Sequence, residues 1–393
     1  MLIDGDPIAI SREDLVIGEP VPWPLFDQDQ RLLAKEGTVI TSERQVEALL
    51  MRGAMRYEVV DRSRPRRKKS VPPPNAPPPQ PRVLRDYQEL AEALMVSFEQ
   101  LSLDPESLKQ EILGIQSLAE RLVTLVNKDR ERALVALHLM HEYPYTVIHP
   151  VHIAIIAVLM ERSLGGDSDK QISIASAALT QNLAMNDLQE ELHTQLFPPD
   201  EEQRETIQNH PIKTVEMLQA AGVTDELWLK TVLQHHESED GGGYPLGLQG
   251  ENILTEARII ALADRYTAMA FERPFRETRG PRAVLQTFYN ESQMNKRKLP
   301  LLFIQQMGVY PPGLFVRLQN GETGMVVKRV GPNGKPLVVS YLNPRGGAYE
   351  PPQLRDGGAT PLYSIKGVCA VDPESFELDE LWKVVDKRLV EEG

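Results

Sequence analysis

His235-His236-Glu237-Ser238-Glu239-Asp240-Gly241-Gly242-Gly243-Tyr244-Pro245-Leu246-Gly247-Leu248 is the stretch that decides what this chain folds into. Two adjacent histidines close an apolar helical pattern, and acids and glycines follow them. Imidazole nitrogen suits iron, manganese, zinc or nickel. Glycine reaches positive φ and lets backbone come close to a ligand. A histidine pair alone is more often structural, but the full fourteen-residue string is a stronger signal of a built site.

Outward from that string, apolar residues recur at helical spacing over 84–103, 105–127, 130–142, 150–164, 171–184, 201–220, 224–237, 254–271 and 281–306. The pattern predicts an all-α domain over 83–308. It holds all eight histidines: His138, His141, His149, His152, His193, His210, His235 and His236. Beyond it, 309–393 turns to β signals. Asn320-Gly321 and Asn333-Gly334 each mark a hairpin, and an amphipathic helix is expected over about 374–390. Before it, 1–61 predicts a small α+β module. Leu15-Val16-Ile17 and Gly37-Thr38-Val39-Ile40 read as strands, and Ser42-Glu43-Arg44-Gln45 as a capping box opening a helix to Met51. Between module and helices, 62–82 joins a basic cluster to Pro72-Pro73-Pro74-Asn75-Ala76-Pro77-Pro78-Pro79-Gln80-Pro81, an exposed semi-rigid linker. Its cations read as solvated linker charge, with phosphate or an anionic membrane surface as the alternative partner. The fold class is therefore mainly α, a helical bundle with a small α+β module before it and a β-rich appendage after it.

The net charge of −13 argues against nucleic-acid binding through the whole surface. A single cysteine, Cys369, excludes an internal disulfide and points to a reducing compartment. The first residues carry no basic stretch followed by an apolar one, so no secretory signal is expected. The longest apolar run, Ile153 to Met160, falls short of the roughly 20 residues a bilayer requires. A cytoplasmic location follows as the expectation.

The fourteen-residue string resembles, without departure, the HHExxDGxGYPxGL signature of the HD-GYP family, bacterial cyclic di-GMP phosphodiesterases of the HD metallohydrolase superfamily. Ala257-Arg258-Ile259-Ile260-Ala261-Leu262-Ala263-Asp264-Arg265-Tyr266 and Arg273-Pro274-Phe275-Arg276 extend the resemblance over about 140–310. The resemblance implies metal ligands at His149, His210, His235, His236 and Asp264. It implies ligand-binding positions at Gly243, Tyr244 and Pro245 of the loop and at Arg273 and Arg276. The departure is at the family's namesake pair. Where the family reads roughly AALLHDIGK, this chain reads Ala177-Ala178-Leu179-Thr180-Gln181-Asn182-Leu183-Ala184-Met185. Gln181 replaces the ligand histidine, Asn182 the aspartate and Met185 the usual lysine. Position 145, a glutamate in some trinuclear relatives, is Tyr145.

In the family the aspartate bridges two cations and offsets their mutual repulsion. A neutral Asn182 does neither, so the two-metal centre is expected to be lost. His210, His235 and His236 remain as a set for one transition metal ion, iron, manganese or zinc, or for none. Asp187 lies five residues from Asn182 and on a continuous helix points away from it. The expected function is a catalytically impaired signalling protein that binds cyclic di-GMP or a GGDEF-domain protein. A working phosphodiesterase with a reduced metal site and a structural scaffold are the alternatives.

Overall fold

The computed structural model describes residues 7–27, 32–35, 37–40, 43–56, 83–101, 104–195, 198–271, 280–295, 298–330, 334–371 and 376–391. They form a mainly helical protein with one small sheet early in the chain and one late. The basic, proline-rich stretch and the arginines Arg273 and Arg276 lie outside the described residues. The chain divides into two compact units. One comprises Met1–Pro79, Asp187–Glu205 and Phe271–Arg279, the other Gln80–Asn186, Thr206–Ala270 and Gly280–Gly393. The β-rich stretch expected over 309–393 belongs to the second unit together with the helices.

In the first unit, β1 (Ile8–Ala9), β2 (Leu25–Phe26), β3 (Leu32–Ala34) and β4 (Met55–Arg56) form an antiparallel sheet in the order β1-β4-β2-β3. The helix α1 (Glu43–Met51) ends where Gly53 takes a positive φ of 66°. The core is Leu15, Leu25, Leu33, Val46 and Leu49. The two expected strands are not there. Leu15 is buried while Val16 and Ile17 face solvent in a turn, and Val39 makes only an isolated bridge to Pro20. An apolar run buries just one of its residues here, and the strands fall on its neighbours.

In the second unit the helices are α2 (Arg85–Gln100), α3 (Pro105–Lys128), α4 (Arg130–Leu139), α5 (Tyr145–Ser163), α6 (Ser168–Thr180), α9 (Glu226–Gln234), α10 (Thr255–Ala270), α11 (Gly280–Asn295) and α12 (Lys298–Met307). Aspartate starts four of them. Asp104, Asp129, Asp167 and Asp225 each accept a hydrogen bond from a first-turn backbone N–H of α3, α4, α6 and α9, worth about 1 kcal/mol apiece. The helix α5 is apolar on every side and packs against α3, α4, α6, α10 and α12. It is long and apolar enough to cross a membrane, yet 89% of its apolar window is buried in the bundle, so it is the core helix.

Several expected helices change extent. The first of them, 150–164, begins at Tyr145, directly after Pro144. The expected helix 281–306 divides into α11 and α12. The expected helix 171–184 breaks after Thr180: a 3-10 turn, Leu183–Met185, leads into α7 (Asn186–Thr194). The helix is therefore not continuous from Asn182 to Asp187, yet Asp187 beyond the break is exposed. The helix α8 (Glu201–Ala220) has its expected limits.

The late sheet is antiparallel, in the order β8-β7-β6-β5-β9, from β5 (Phe315–Leu318), β6 (Thr323–Val330), β7 (Lys335–Leu342), β8 (Ala348–Asp356) and β9 (Ile365–Val368). The Asn320-Gly321 hairpin joins β5 to β6 with Gly321 at φ 89°. The sequence hid β8 behind Pro351 and Pro352; as an edge strand it loses no ladder bond on its open side. The closing helix α13 spans Leu378–Glu391.

One polar cluster locks this sheet. The buried Glu322 carboxylate accepts from Arg355 Nε (2.8 Å) and Nη2 (2.9 Å) and from the Tyr349 hydroxyl (2.9 Å). Removing the acid strands a mostly buried guanidinium. Glu322→Ala is expected to lower stability by about 3–5 kcal/mol in chemical denaturation; a loss below about 1 kcal/mol would show that the pair is no more than a surface contact.

Candidate metal centre

His210 lies on α8, His235 caps the end of α9 and His236 follows it. Their candidate ligand atoms all fall within 4.8 Å of one another, and His210 and His235 are fully buried. The backbone sets their orientation. His210 Nδ1–H donates to the Ile207 carbonyl at 2.6 Å. That carbonyl is free to accept because residue 211, its helical partner four positions on, is a proline without an N–H. His235 Nδ1–H donates to the Val232 carbonyl, also at 2.6 Å, in the last turn of α9, where carbonyls lose their helical donors.

With both Nδ1 hydrogens committed, each Nε2 presents a lone pair, and the two Nε2 atoms face each other at 3.2 Å. Neither can donate to the other. Burial, aided by the neighbouring His236, pushes His210 down to about 3 and His235 well below its ordinary value, so a shared proton is disfavoured. Two converging neutral imidazole lone pairs with a third histidine beside them fit a transition metal ion.

The Gly243-Tyr244-Pro245 loop is held against this set. Glu237 accepts from the Leu246 N–H at 2.6 Å and the Leu248 N–H at 2.8 Å, so the signature's glutamate clamps the loop. Gly243 lies on the backbone of Glu237 and Ser238, where any Cβ would collide. The Tyr244–Pro245 peptide is cis. The Tyr244 ring lies 4.7 Å from that of His236 and 6.4 Å from that of His210. The clamp was missed in the sequence, although the glutamate's fixed offset from the loop was there to be read.

The other expected ligands form a separate pair. His149, on α5, bonds Asp264 Oδ1 through Nε2 at 2.8 Å, and its Nδ1 lies 3.3 Å from the Thr267 hydroxyl. Burial opposes ionisation of Asp264, but the His149 hydrogen bond and the nearby imidazoles outweigh it and hold the carboxyl below its ordinary range. Tyr145 stacks on His149 with ring centres 4.6 Å apart and planes 19° apart. At the namesake positions Gln181 is 1% exposed, and both its amide atoms, like Asn182 Oδ1, are buried without a hydrogen-bond partner among the described residues. Met185 is buried in the turn that follows. These residues do not fit a second cation: among the described residues Gln181 and Asn182 supply no anionic bridge, and His149 and Asp264 bond each other.

The family profile described as an HD domain matches residues 119–295. A cyclic di-GMP phosphodiesterase of Pseudomonas aeruginosa is 30% identical over 179 residues, 45% of this chain and 43% of the relative. The cyclic di-GMP phosphodiesterase PdeB of Borreliella burgdorferi is 26% identical over 204 residues, 51% and 53% of the two chains. The cyclic di-GMP phosphodiesterase response regulator RpfG of Xanthomonas campestris is 30% identical over 196 residues, 48% and 51%. The chain thus spans about half the length of the curated relatives it matches. Among solved structures, an HDG"Y"P protein from Bdellovibrio bacteriovorus aligns with a TM-score of 0.47 at 14% identity, over 77% of this chain and 98% of that one.

Two substitutions probe this geometry. Pro211→Ala returns a backbone N–H that competes for the Ile207 carbonyl. Zinc titration should show affinity falling about tenfold or more with no drop in thermal midpoint; equal affinity would mean His210 is oriented by something else. Gln181→Met removes two orphaned amide atoms at similar volume, so stability should rise by about 1–3 kcal/mol, and a fall would reveal a partner for that amide.

Proposed function

We propose that this chain, which belongs to the HD-GYP branch of the HD domain proteins, is a cyclic di-GMP signalling protein that binds its ligand without turning it over at the rate of active relatives. One observation carries this reading. The histidine half of the centre is oriented for a metal, whereas the namesake positions hold neutral amides, with Gln181 unpartnered among the described residues, beside a hydrogen-bonded His149–Asp264 pair. His210, His235 and His236 would hold one ion, which would supply Lewis acidity and a point of attachment for a phosphate oxygen. Tyr244 offers an aromatic face beside that ion, and the Glu237 clamp fixes the loop that carries it.

Phosphodiester hydrolysis by a two-metal centre needs one ion for the attacking oxygen and one to offset charge on the phosphoryl group. With a single ion, one of these roles is unfilled. The surviving GYP loop favours a retained binding role, to the cyclic dinucleotide or to a GGDEF-type partner that docks on the same loop. The second reading, a slow mononuclear phosphodiesterase, draws on the same three histidines.

Calorimetry and turnover on manganese-loaded protein separate these. We expect saturable cyclic di-GMP binding at one site per chain, weakened by Tyr244→Ala, with hydrolysis at least about a hundredfold below a metal-replete relative assayed in parallel. Hydrolysis at the relative's rate overturns the impaired reading, and the absence of binding heat overturns the ligand-binding one.

A further inference from the structure

A polar pocket lined by none of the histidines lies in the helical unit. It is lined by Glu161, Leu164, Gly165, Gly166, Asp167, Lys170, Thr255 and Glu256, where α5 ends and α6 and α10 begin. Glu161 is its most unusual member. The residue is 3% exposed, its Oε2 has no hydrogen-bond partner, and among the described residues its carboxylate forms no ion pair. A buried carboxylate without a donor or counter-charge is strongly unfavourable unless it is neutralised.

The local chain is built to keep that carboxylate in place. Gly165 takes a φ of 86°, and the Gly166 N–H returns to the Glu161 carbonyl at 3.0 Å. A Cβ on Gly166 would strike the Glu161 carboxylate directly, so the glycine leaves the space the acid occupies. Asp167 caps α6 through Oδ1, donated to by the Lys170 N–H at 2.9 Å. Glu256 stands in the first turn of α10. With three carboxylates and one ammonium around the cavity, the pocket carries a net charge of about −2 when all are ionised. Burial and the charge of Glu256 push the Glu161 carboxyl up, while Lys170 opposes this.

We propose that this pocket is a binding site for a hard divalent cation of the calcium or magnesium class, with Glu161 as its innermost ligand and Glu256 and Asp167 completing an oxygen shell shared with water. The charge matches a dication, and oxygen-only side chains select such ions over the softer metals that imidazole prefers. Lys170 is exposed and can swing to solvent as the ion enters. The ion would tie the end of α5, the helix that carries His149, to the starts of α6 and α10.

Calcium titration of the full chain tests this independently of the histidine site, because three imidazoles are poor calcium ligands. We expect one saturable calcium per chain and a thermal midpoint that rises with calcium. Affinity should fall about tenfold or more in Glu161→Gln and measurably in Glu256→Gln, with zinc binding at the histidines unchanged. Should Glu161→Gln fail to fold, Glu256→Gln and the wild-type midpoint still decide. No saturable calcium or magnesium binding, or binding unaltered by these substitutions, overturns the site and shows Glu161 to be a buried neutral acid.

Discussion

Two imidazole nitrogens that face each other at 3.2 Å, both stripped of a hydrogen to share, are the constraint around which the rest of the site is arranged. The arrangement is stable only if something positive lies between them or if the backbone forces it. The backbone does force it, through a carbonyl released by Pro211 and a carbonyl left over where α9 ends. The loop from Glu237 to Leu248 then folds back over the third histidine, and Glu237 fastens it with two backbone hydrogen bonds. Geometry of this kind is costly to keep without a ligand, which is why the histidine half reads as functional.

The opposite half has gone the other way. At the namesake positions stand the neutral amides of Gln181, sealed from solvent and without a partner among the described residues, and of Asn182, whose Oδ1 is likewise unpartnered. His149 and Asp264, which could otherwise have turned towards a cation, satisfy each other, and the Tyr145 ring covers His149. The histidine half thus converges on one point, while the opposite half offers neutral amides and a His149–Asp264 pair bonded to each other. The two halves still feel each other: the imidazoles of His235 and His236 help to hold the Asp264 carboxyl below its ordinary range.

How much of this the sequence disclosed depends on whether a feature is local. The fourteen-residue string and the altered namesake pair are local in sequence and were legible as motifs, while His210, 25 residues before His235, entered only through the family resemblance. The limits of α8 and the Asn320-Gly321 hairpin were legible too, because a helical period and a turn dipeptide are short-range signals. What escaped is long-range or exceptional. The role of Glu237 shows only once its two backbone donors, nine and eleven residues on, are seen. The strand β8 is masked by prolines tolerated only because it is an edge. The Leu15-Val16-Ile17 run looks like a strand, but only Leu15 has a core to enter. Nothing in sequence could tell that Gln181 would be buried without a partner, since that depends on α6 and α9 packing around it.

Metal stoichiometry, read by elemental analysis and X-ray absorption on zinc-reconstituted protein, tests the central claim most directly. One ion per chain, with a nitrogen-rich first shell and no metal–metal scattering, is the predicted result. Two ions per chain with a short metal–metal vector would contradict it, because Gln181 and Asn182 would then be supporting the very bridge that their chemistry is here taken to have removed.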